Sequence, residues 1–417
     1  MDIEADHKHV QCCIVGAGPA GLVLALLLAR KGVSVKVLEL HPDLARDFRG
    51  DTVHASTLEM LDQIGLADGA LELPHGKIQQ MSINTPGKVI NLVNFKRLKT
   101  KFPYIAMMPQ ELFLNYLLEC AQAFDCFEIM FQTAVTGLIK DEQGKVVGVE
   151  GLQSGEPVRI ESDLVVACDG RFSKLRKLAG FTAENQSQPM DIAWLRFPRL
   201  PGEKDDQAGF YVAQGNLCIV LNRIDVWQVA YVYAKGDFGH VREKGLDDFR
   251  LGLRRTIPWL KDRVEAITDF GDLHILNVRA DMLDSWYSNG LLLIGDSAHA
   301  MSPVGGVGIN FAIADAIEAA NILAAPLLGG TSTLEDLAEV QHRRFKATKT
   351  VQRIQMRIVK QITARAFGNK EFDLPWLARV LLKTPFVRDI PARLMAFGPY
   401  QAKIEEPATL RVNTQLD

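Results

Sequence analysis

The sequence lacks the residue patterns of a metalloprotein or of a disulfide-bonded scaffold. Its 417 residues include only six cysteines, and neither their spacing nor any cluster of His and carboxylate residues matches a metal-ligand pattern. We therefore expect no metal site. A reduced thiol inside an apolar run behaves as a small hydrophobic side chain. We expect buried, reduced thiols at Cys12, Cys13, Cys120, Cys126, Cys168 and Cys218.

Long apolar runs and an excess of one charge sign are also missing. The longest apolar run, 22–29, is shorter than the roughly 20 residues that span a bilayer. The acidic segment 1–6 has no signal-peptide core. A net charge of −3 gives no basic field for nucleic acid. With 47% hydrophobic and 23% charged residues, the composition is that of a globular protein, and we expect a cytoplasmic one.

A glycine-rich turn near the N-terminus lies between an apolar strand-like run at 10–15 and an apolar helix-like run at 22–30. The turn reads Gly-Ala-Gly-Pro-Ala-Gly at 16–21, and a second strand-like run at 33–38 leads into Glu39. A strand, a GxGxxG turn, a helix and a distal acidic residue form the βαβ pattern of a dinucleotide site. The N-terminal segment therefore predicts a nucleotide cofactor.

Each residue type in this pattern has a physical reason. Gly16 allows the tight turn, Gly18 lets the backbone approach a pyrophosphate, and Gly21 lets helix and strand pack closely. The helix N-terminus offers free N–H groups to the phosphates. Glu39 is placed where a carboxylate accepts hydrogen bonds from both ribose hydroxyls, which suits FAD or NAD better than NADP.

Two later segments also combine a buried-type strand with an aspartate at its end. The first is an apolar run, 162–168, that leads into Asp169 and Gly170. The second, 291–294, leads into Gly295 and Asp296, and a loop rich in Pro and Gly precedes a helix predicted over 309–323. We expect the three segments to form one nucleotide site.

In this order and at these separations, the segments resemble the motifs of the FAD-dependent aromatic hydroxylases. These are the para-hydroxybenzoate hydroxylase-like class A flavoprotein monooxygenases, and the resemblance extends over about residues 8–330. It implies an α/β fold in which a Rossmann-like FAD-binding domain carries an inserted α+β substrate domain of mixed or antiparallel sheet, followed by C-terminal helices. It also implies non-covalent FAD, with NADPH or NADH as a transient reductant.

The resemblance further implies which residues contact FAD. Arg49, with Arg46 as the alternative, and Gln110 match FAD-contacting side chains, and Val135 matches a backbone contact to adenine. The expected cofactor-binding residues are Gly16, Ala17, Gly18, Pro19, Ala20, Gly21, Glu39, Leu40, Arg49, Gln110, Val135, Asp169, Gly295, Asp296, Pro303, Gly305, Gly306, Val307, Gly308 and Ile309.

The two aspartates in this set have different implied roles. Asp169 matches a residue that shapes the pyrophosphate site and the approach of the nicotinamide nucleotide. Its neighbour Arg176 either meets a nucleotide phosphate or lies on a solvated helix face. Asp296 matches a carboxylate that binds ribityl or pyrophosphate-side hydroxyls, and its position also suits a helix N-cap.

The loop from Pro303 to Gly308 has a role that follows from charge. Reduced flavin carries negative charge around its N1 and C2 carbonyl, and backbone N–H groups of Gly308 and Ile309 at a helix start would stabilise that charge. Glycines let the loop pass close to the ring and leave room for oxygen and substrate.

The chain is expected to divide into discontinuous domains. The predicted FAD-binding domain takes 1–75, 101–180 and 271–330, and the substrate domain takes 76–100 and 181–270. A C-terminal helical region takes 331–417. In it, residues 343–370 contain nine Lys or Arg and no acidic residue, and Val351, Ile354, Ile358 and Ile362 recur at helical spacing. This predicts a basic amphipathic helix packed on the FAD domain, or one with a weak membrane or partner contact.

Within the predicted substrate domain, residues 216–221 and 226–233 flank a turn and form a plausible β-hairpin. Strand alternation places Trp227, Tyr231 and Tyr233 on one face. This aromatic face, together with Tyr211, either lines a substrate pocket or packs against helices.

The same hairpin bears on the substrate. The prototype hydroxylase holds a carboxylate with an arginine on this strand, and 226–233 has none. Arg223 lies in the predicted turn, where it could point away. A larger or less acidic substrate is therefore expected.

The implied reaction is hydroxylation of an electron-rich aromatic or polycyclic small molecule. NAD(P)H reduces FAD, O2 adds to give a flavin hydroperoxide, and its distal oxygen moves to the ring. No catalytic residue is assigned, and His54, His274 and Tyr211 stay open as a general base. Alternatives are a membrane-associated quinone-pathway hydroxylase, a flavin reductase acting on alkenes, a halogenase, and a non-catalytic flavin-binding protein. The halogenase signature Trp-x-Trp-x-Ile-Pro is absent. A monomer and a homodimer are both compatible with the sequence.

Overall fold

A computed structural model describes residues 9–45, 51–186, 188–203, 208–213, 215–368, 384 and 387–405. The helices are α1 (Pro19–Arg30), α2 (Ala55–Gln63), α3 (Ala67–Glu72), α4 (Gln110–Gln122), α5 (Lys174–Leu178), α6 (Phe238–Glu243), α7 (Leu246–Thr256), α8 (Gly308–Leu328), α9 (Leu334–Ala366) and α10 (Ile390–Phe397). The strands are β1 (Val10–Val15), β2 (Val35–Leu38), β3 (Thr52–Val53), β4 (Gly76–Ile78), β5 (Gln80–Thr85), β6 (Lys88–Asn94), β7 (Ile105–Met107), β8 (Phe127–Met130), β9 (Thr133–Lys140), β10 (Val146–Gln153), β11 (Glu156–Ala167), β12 (Glu184–Gln186), β13 (Met190–Pro198), β14 (Gly209–Ala213), β15 (Asn216–Arg223), β16 (Val226–Ala234), β17 (His274–Leu276), β18 (Ala280–Met282), β19 (Tyr287–Ser288) and β20 (Leu291–Leu293).

An eight-stranded sheet forms the first layer, in the order β19-β20-β11-β1-β2-β8, with β9 and β10 joined to β11. The strands from β20 to β8 run parallel. Their register aligns the last residues: Val15 lies beside Leu38 and Ala167, and Ala167 lies beside Leu293. The loops after these four strands therefore open at one edge of the sheet, where α/β proteins bind ligands.

Helices α1 and α8 bury the apolar side of this sheet. Most of α1 is buried, because its sequence is apolar on every face. The helical stretch Val304–Leu328 is long and apolar enough to cross a bilayer, and an 18-residue window of it has a mean hydropathy of 1.6, but 61% of that window is buried within the protein. It packs with α1 in the main hydrophobic core. This helix is therefore a core element of the fold.

A seven-stranded sheet forms a second layer, in the order β17-β13-β16-β15-β14-β5-β6, and only the β14–β5 pair is parallel. The predicted hairpin is confirmed as β15 and β16, although β15 continues to Arg223. The turn is therefore only Ile224 and Asp225, with Ile224 at φ +64°. The outer face of this sheet packs on α7, and its inner face packs against α9.

The predicted basic helix is part of α9, which begins at Leu334 with a capping box between Thr333 and Asp336. The expected apolar stripe was partly wrong, because Ile358 is 41% exposed. The buried face of α9 includes the polar Gln352 and Gln355. The apolar residues alone predicted the wrong buried face of α9. Gln352 and Gln355 are polar but buried, because they donate hydrogen bonds to carbonyl groups of another segment.

The six cysteines are unpaired, as expected. Cys12, Cys13 and Cys218 are buried. The others, Cys120, Cys126 and Cys168, are only half-buried, so the expectation of full burial was wrong for them. Cys168 follows the end of β11 and lies at the open edge of the sheet, where packing is incomplete.

Candidate functional site

The glycine-rich turn after β1 is packed as tightly as its sequence predicts. Gly16 has φ +106°, and a Cβ built on it would lie 2.5 Å from the carbonyl oxygen of Cys168. A Cβ on Gly21 would lie 2.0 Å from the carbonyl oxygen of Gly16. These two positions accept no side chain, because the turn is held against both α1 and the end of β11.

Gly18, in contrast to Gly16 and Gly21, lies beside open space. A Cβ built on it would meet no protein atom within 4 Å. Gly18 is the N-cap of α1, no side chain caps this helix start, and the first turn of α1 has no acidic residue. An uncapped helix start beside open space is an anion site, because the helix dipole and the free N–H groups both favour phosphate. The space beside Gly18 fits a pyrophosphate.

Glu39 fixes the end of β2 beside this turn. Its side chain is buried, and one carboxylate oxygen accepts from the Ala17 N–H while the other accepts from the His41 N–H, both at 2.9 Å. Leu40 beside it is 59% exposed. The Thr133 N–H donates to the Glu39 carbonyl, which brings Val135 close. Val135 lies within β9, the strand that follows β8, and is paired with Gly151.

The second and third motifs are joined by direct hydrogen bonds. Asp169 accepts from the backbone N–H groups of Lys174 and Leu175, and so holds the start of α5. Its other oxygen accepts from the Ser297 hydroxyl at 3.0 Å, and the same hydroxyl oxygen accepts from the Gly170 N–H. Asp169 therefore ties the start of α5 to the turn that follows β20.

Gly295 and Asp296 form the turn after β20. Gly295 has φ +59°, and a Cβ on it would lie 3.1 Å from Ala312 Cβ and 3.4 Å from Ala20 Cβ, so the turn fits between α8 and α1. The Asp296 carboxylate is 3.7 Å from Arg171 and one third exposed. Asp296 lies inside the Gly295–Ser297 turn and not at its N-cap, so the capping alternative was wrong.

The segment Met301–Gly308, called the flavin loop below, ends at the start of α8. Gly305 and Gly306 have φ +82° and +62°. A Cβ on Gly306 would lie 2.5 Å from the Thr52 hydroxyl oxygen. The helix begins one residue before the predicted Ile309, and the Phe311 N–H donates to the carbonyl of the N-cap residue Val307 at 3.0 Å. The N–H groups of Gly308 and Ile309 precede that bond, as predicted.

Asn310, which sequence reasoning missed, holds this loop to β3 and α2. Its amide nitrogen donates to the Thr52 carbonyl, and its amide oxygen accepts from the His54 N–H and the Thr57 hydroxyl. The Thr52 hydroxyl donates to the Gly306 carbonyl at 2.6 Å. A polar residue in an otherwise apolar helix start was the available sequence signal.

Gln110 opens α4 as predicted, is buried, and donates its N–H to Asp51 at 3.2 Å. Arg49 and its alternative Arg46 lie outside the described residues. Asp51 begins the described chain beyond them and leads into Thr52. The structure thus brings together the α4 start, β3 and the flavin loop at the open edge of the sheet.

A comparison with known protein families identifies the family of this chain. Residues 9–354 match the family described as "FAD binding domain" (FAD_binding_3). The chain belongs to this FAD-binding family. The cofactor fits the residues, because Gly18 leaves the space that a pyrophosphate needs. The hydroxyl oxygen of Ser302 in the flavin loop is also buried without a protein partner among the described residues.

Relatives of known activity extend the identification. The chain is 29% identical over 416 residues to 6-methylpretetramide 4-monooxygenase from Streptomyces rimosus, covering 97% of this chain and 98% of that protein. It is 30% identical to rifampicin monooxygenase from Streptomyces venezuelae, covering 76% of this chain and 64% of that longer protein. The structure of OxyS anhydrotetracycline hydroxylase from Streptomyces rimosus superposes with a TM-score of 0.71 at 25% identity, covering 93% and 76%. This FAD-binding chain is a flavin-dependent monooxygenase.

Bound FAD supplies the redox chemistry and the reaction with O2. The protein residues of the FAD site supply binding, orientation and charge stabilisation. With FAD bound, the α1 N-terminus would hold the phosphates and Glu39 would accept hydrogen bonds from a ribose. The Gly308 and Ile309 N–H groups at the start of α8 would stabilise negative charge on a reduced ring.

Arg223 does not lie in the turn where the sequence analysis placed it. It ends β15, and its guanidinium pairs with Asp51 and donates to Gln228 at 3.0 Å. Burial raises the pKa of Asp51 to about 6, against the opposing charge of Arg223. The pair ties the hairpin to the segment that leads into Thr52.

The aromatic face of the hairpin packs against helices, which decides between the two alternatives. Trp227 is fully buried and donates from its indole to Glu203 at 2.6 Å. Tyr231 meets Phe249 of α7 with ring centroids 4.9 Å apart. Tyr233 and Tyr211 belong to the same outer-face cluster. All four side chains therefore pack in the core under α7, which is the second of the two alternatives.

Arg176 is also a structural residue. Its guanidinium lies 3.4 Å from both oxygens of Asp281 and donates to the Arg171 carbonyl at 2.9 Å, with 11% of the side chain exposed. Arg176 is thus paired with Asp281. This pairing matches neither of the two alternatives given for Arg176, a contact with a nucleotide phosphate and a solvated position on a helix face.

His54 borders a cavity of about 30 Å³ between α8 and the segment that follows α10. Its Nδ1 donates to the Met395 carbonyl at 2.6 Å, which leaves Nε2 as an acceptor. Nε2 is buried without a partner among the described residues. Burial lowers the pKa of His54 to about 4. His54 is therefore neutral in the folded protein at neutral pH.

This burial predicts an acid-dependent loss of stability. Unfolded His54 binds a proton below about pH 6.5 and the folded form only near pH 4, so stability falls as pH decreases through that window. The full loss is about 3 kcal/mol. His54→Asn, whose amide also donates, should lack this dependence. Urea unfolding of both proteins from pH 7 to 4 measures it, and parallel curves for the two would contradict the assignment.

Proposed function

We propose that this monooxygenase hydroxylates a polycyclic, electron-rich aromatic small molecule with O2 and NADPH or NADH. The observation that carries the proposal is the contact between the flavin loop and the inner face of the seven-stranded sheet. Val304 of the loop packs in one apolar cluster with the half-buried Trp194, Phe210 and Ile219 of that face. A flat ring system fits such a surface, because aromatic and branched side chains offer area without fixed charge.

The polar groups near the loop favour a large phenol over a small aromatic acid. Arg223 is engaged by Asp51, and the inward residues of β16 include no arginine. Arg196, paired in register with Gln228, is the cationic side chain that β13 places on this face. The charges of Arg196 and Arg223 both act on Asp51, so these arginines among apolar walls suit a phenol or enol oxygen better than a carboxylate. The relatives named for 6-methylpretetramide and anhydrotetracycline support a polycyclic substrate.

Location and domain limits belong to the same proposal. Six unpaired cysteines fit a reducing compartment, so we place the protein in the cytoplasm. The boundaries at 75, 100, 180, 270 and 330 stay predictions, as do the individual FAD contacts and the monomeric or homodimeric state. A weak membrane contact through residues 343–370 also stays a prediction.

The test is NADPH and NADH consumption by the FAD-loaded protein with a panel of polycyclic phenols and small benzoates. Peroxide is followed in parallel, and products are analysed after reaction under 18O2. We expect polycyclic phenols to stimulate consumption and to gain one labelled oxygen with little peroxide. Stimulation by benzoates alone, or consumption that yields only peroxide with every compound, would overturn the proposed substrate class.

A further inference from the structure

Alternate carbonyl groups before and within the flavin loop are held by side chains from elsewhere in the chain. Gln352 of α9 donates to the Ala300 carbonyl at 3.1 Å. Gln355, one turn further on, donates to the carbonyls of Ser302 at 3.0 Å and Val304 at 2.6 Å. The Gly306 carbonyl accepts from Thr52 and Asn310. Residues 300, 302, 304 and 306 thus all have their carbonyl oxygens fixed.

Fixing a carbonyl also fixes the N–H of the next residue, except after Ser302, where the next residue is Pro303 and has no N–H. In a trans peptide the two groups point in opposite directions, because the peptide unit is planar. Holding the Val304 carbonyl toward α9 turns the Gly305 N–H to the other side of the loop. Holding the Gly306 carbonyl toward β3 does the same for the Val307 N–H. The glycines permit many conformations, so these hydrogen bonds select one.

Burying the polar side chain of Gln355 costs free energy that an apolar side chain of the same size would not cost. It is 4% exposed, and its amide oxygen is buried without a partner among the described residues. A methionine would fill similar space with no unsatisfied oxygen, so the two donated hydrogen bonds must offset that cost. Gln355 also lies one residue beyond the end of the family match at 354.

We propose that Gln355 is a positioning residue of the flavin loop, which fixes the peptide planes so that loop N–H groups face the flavin and stabilise its reduced form. The proposal rests on FAD binding at this site and is independent of the substrate proposed above. It makes the inner face of α9 part of the cofactor site.

Gln355→Met tests the proposal, because it removes both donors and keeps the size and helix preference of the side chain. The reduction potential of bound FAD is measured by dye equilibration without substrate or nicotinamide, together with the Kd for oxidised FAD. We expect a more negative potential and about a tenfold fall in the preference for reduced over oxidised FAD, the effect of one lost hydrogen bond to the loop. Peroxide per NADPH consumed should rise.

Gln361→Leu is the matched control, since Gln361 is exposed on the same helix. Its potential should equal that of the unchanged protein. Gln355→Leu is the second variant, used if the methionine variant does not fold, and its side chain has no donor for either carbonyl. A folded Gln355 variant with unchanged potential and FAD affinity would overturn the proposal. A failed substrate panel would leave this result unaffected.

Discussion

Replacement of Asp315 by alanine is expected to lower the free energy of unfolding by about 3–5 kcal/mol, the cost of breaking a buried ion pair. Asp315 has no exposed side-chain surface. One oxygen accepts from Arg344 at 2.8 Å, and the other accepts from His299 at 2.6 Å and from the Gly295 N–H at 3.0 Å. Without the carboxylate, a buried guanidinium loses its counter-charge, and the Gly295 turn at the FAD site loses its anchor.

The adjacent ion pair provides the control. Glu318, one turn later on α8, accepts from Arg343 at 3.0 Å, and the Arg343 side chain is 35% exposed. Both pairs join α8 to α9, but solvent screens the second, so Glu318→Ala should cost about 0–1 kcal/mol. Urea unfolding of the apoproteins and FAD titration measure both variants. Equal effects of the two substitutions would refute the expectation.

The pH dependence of this site has a definite sign. Burial alone would raise the pKa of Asp315, but His299 and Arg344 together outweigh it and hold that pKa below its usual value. The stabilisation is therefore present above the unfolded pKa of about 4 and is lost as pH falls below it. Asp315→Ala should remove this acid-dependent part.

Two alanine substitutions in the first turn are expected to separate cofactor binding from folding. Gly18→Ala should leave the apoprotein folded, because its φ of −78° suits alanine and its Cβ meets no protein atom. It should weaken FAD binding about a hundredfold, or ~3 kcal/mol, because the methyl group enters the pyrophosphate space. Gly21→Ala should prevent native folding, since its Cβ would lie 2.0 Å from the Gly16 carbonyl oxygen.

Apoprotein circular dichroism and FAD fluorescence titration distinguish the two variants. A Gly18→Ala protein with unchanged FAD affinity would show that the pyrophosphate lies elsewhere. A stable Gly21→Ala protein that binds FAD normally would show that the helix and the turn can separate without loss. The pair works as its own control, since the same methyl group is added three residues apart.

Local sequence was enough to predict the cofactor class and the glycine turns of its candidate site. Gly16, Gly18 and Gly21 could be assigned because their role depends on backbone conformation within one turn, which local sequence encodes. The β15–β16 hairpin followed from alternation over a few residues, and the start of α8 was placed within one residue of Ile309. Each of these features depends on neighbours along the chain.

Contacts between segments distant in sequence identify the polar side chains that surround the candidate site. Gln355 reaches the flavin loop across about fifty residues, and Arg223 reaches Asp51 from the other sheet. The sequence could not decide whether Trp227 lines a pocket or packs in the core. The alternation of side chains along β16 predicts two faces, but it does not say which face α7 covers. The spacing of residue types along a segment encodes the conformation of that segment. Contacts between residues distant in sequence depend instead on how the sheets and helices pack, and this packing forms only when the whole chain folds.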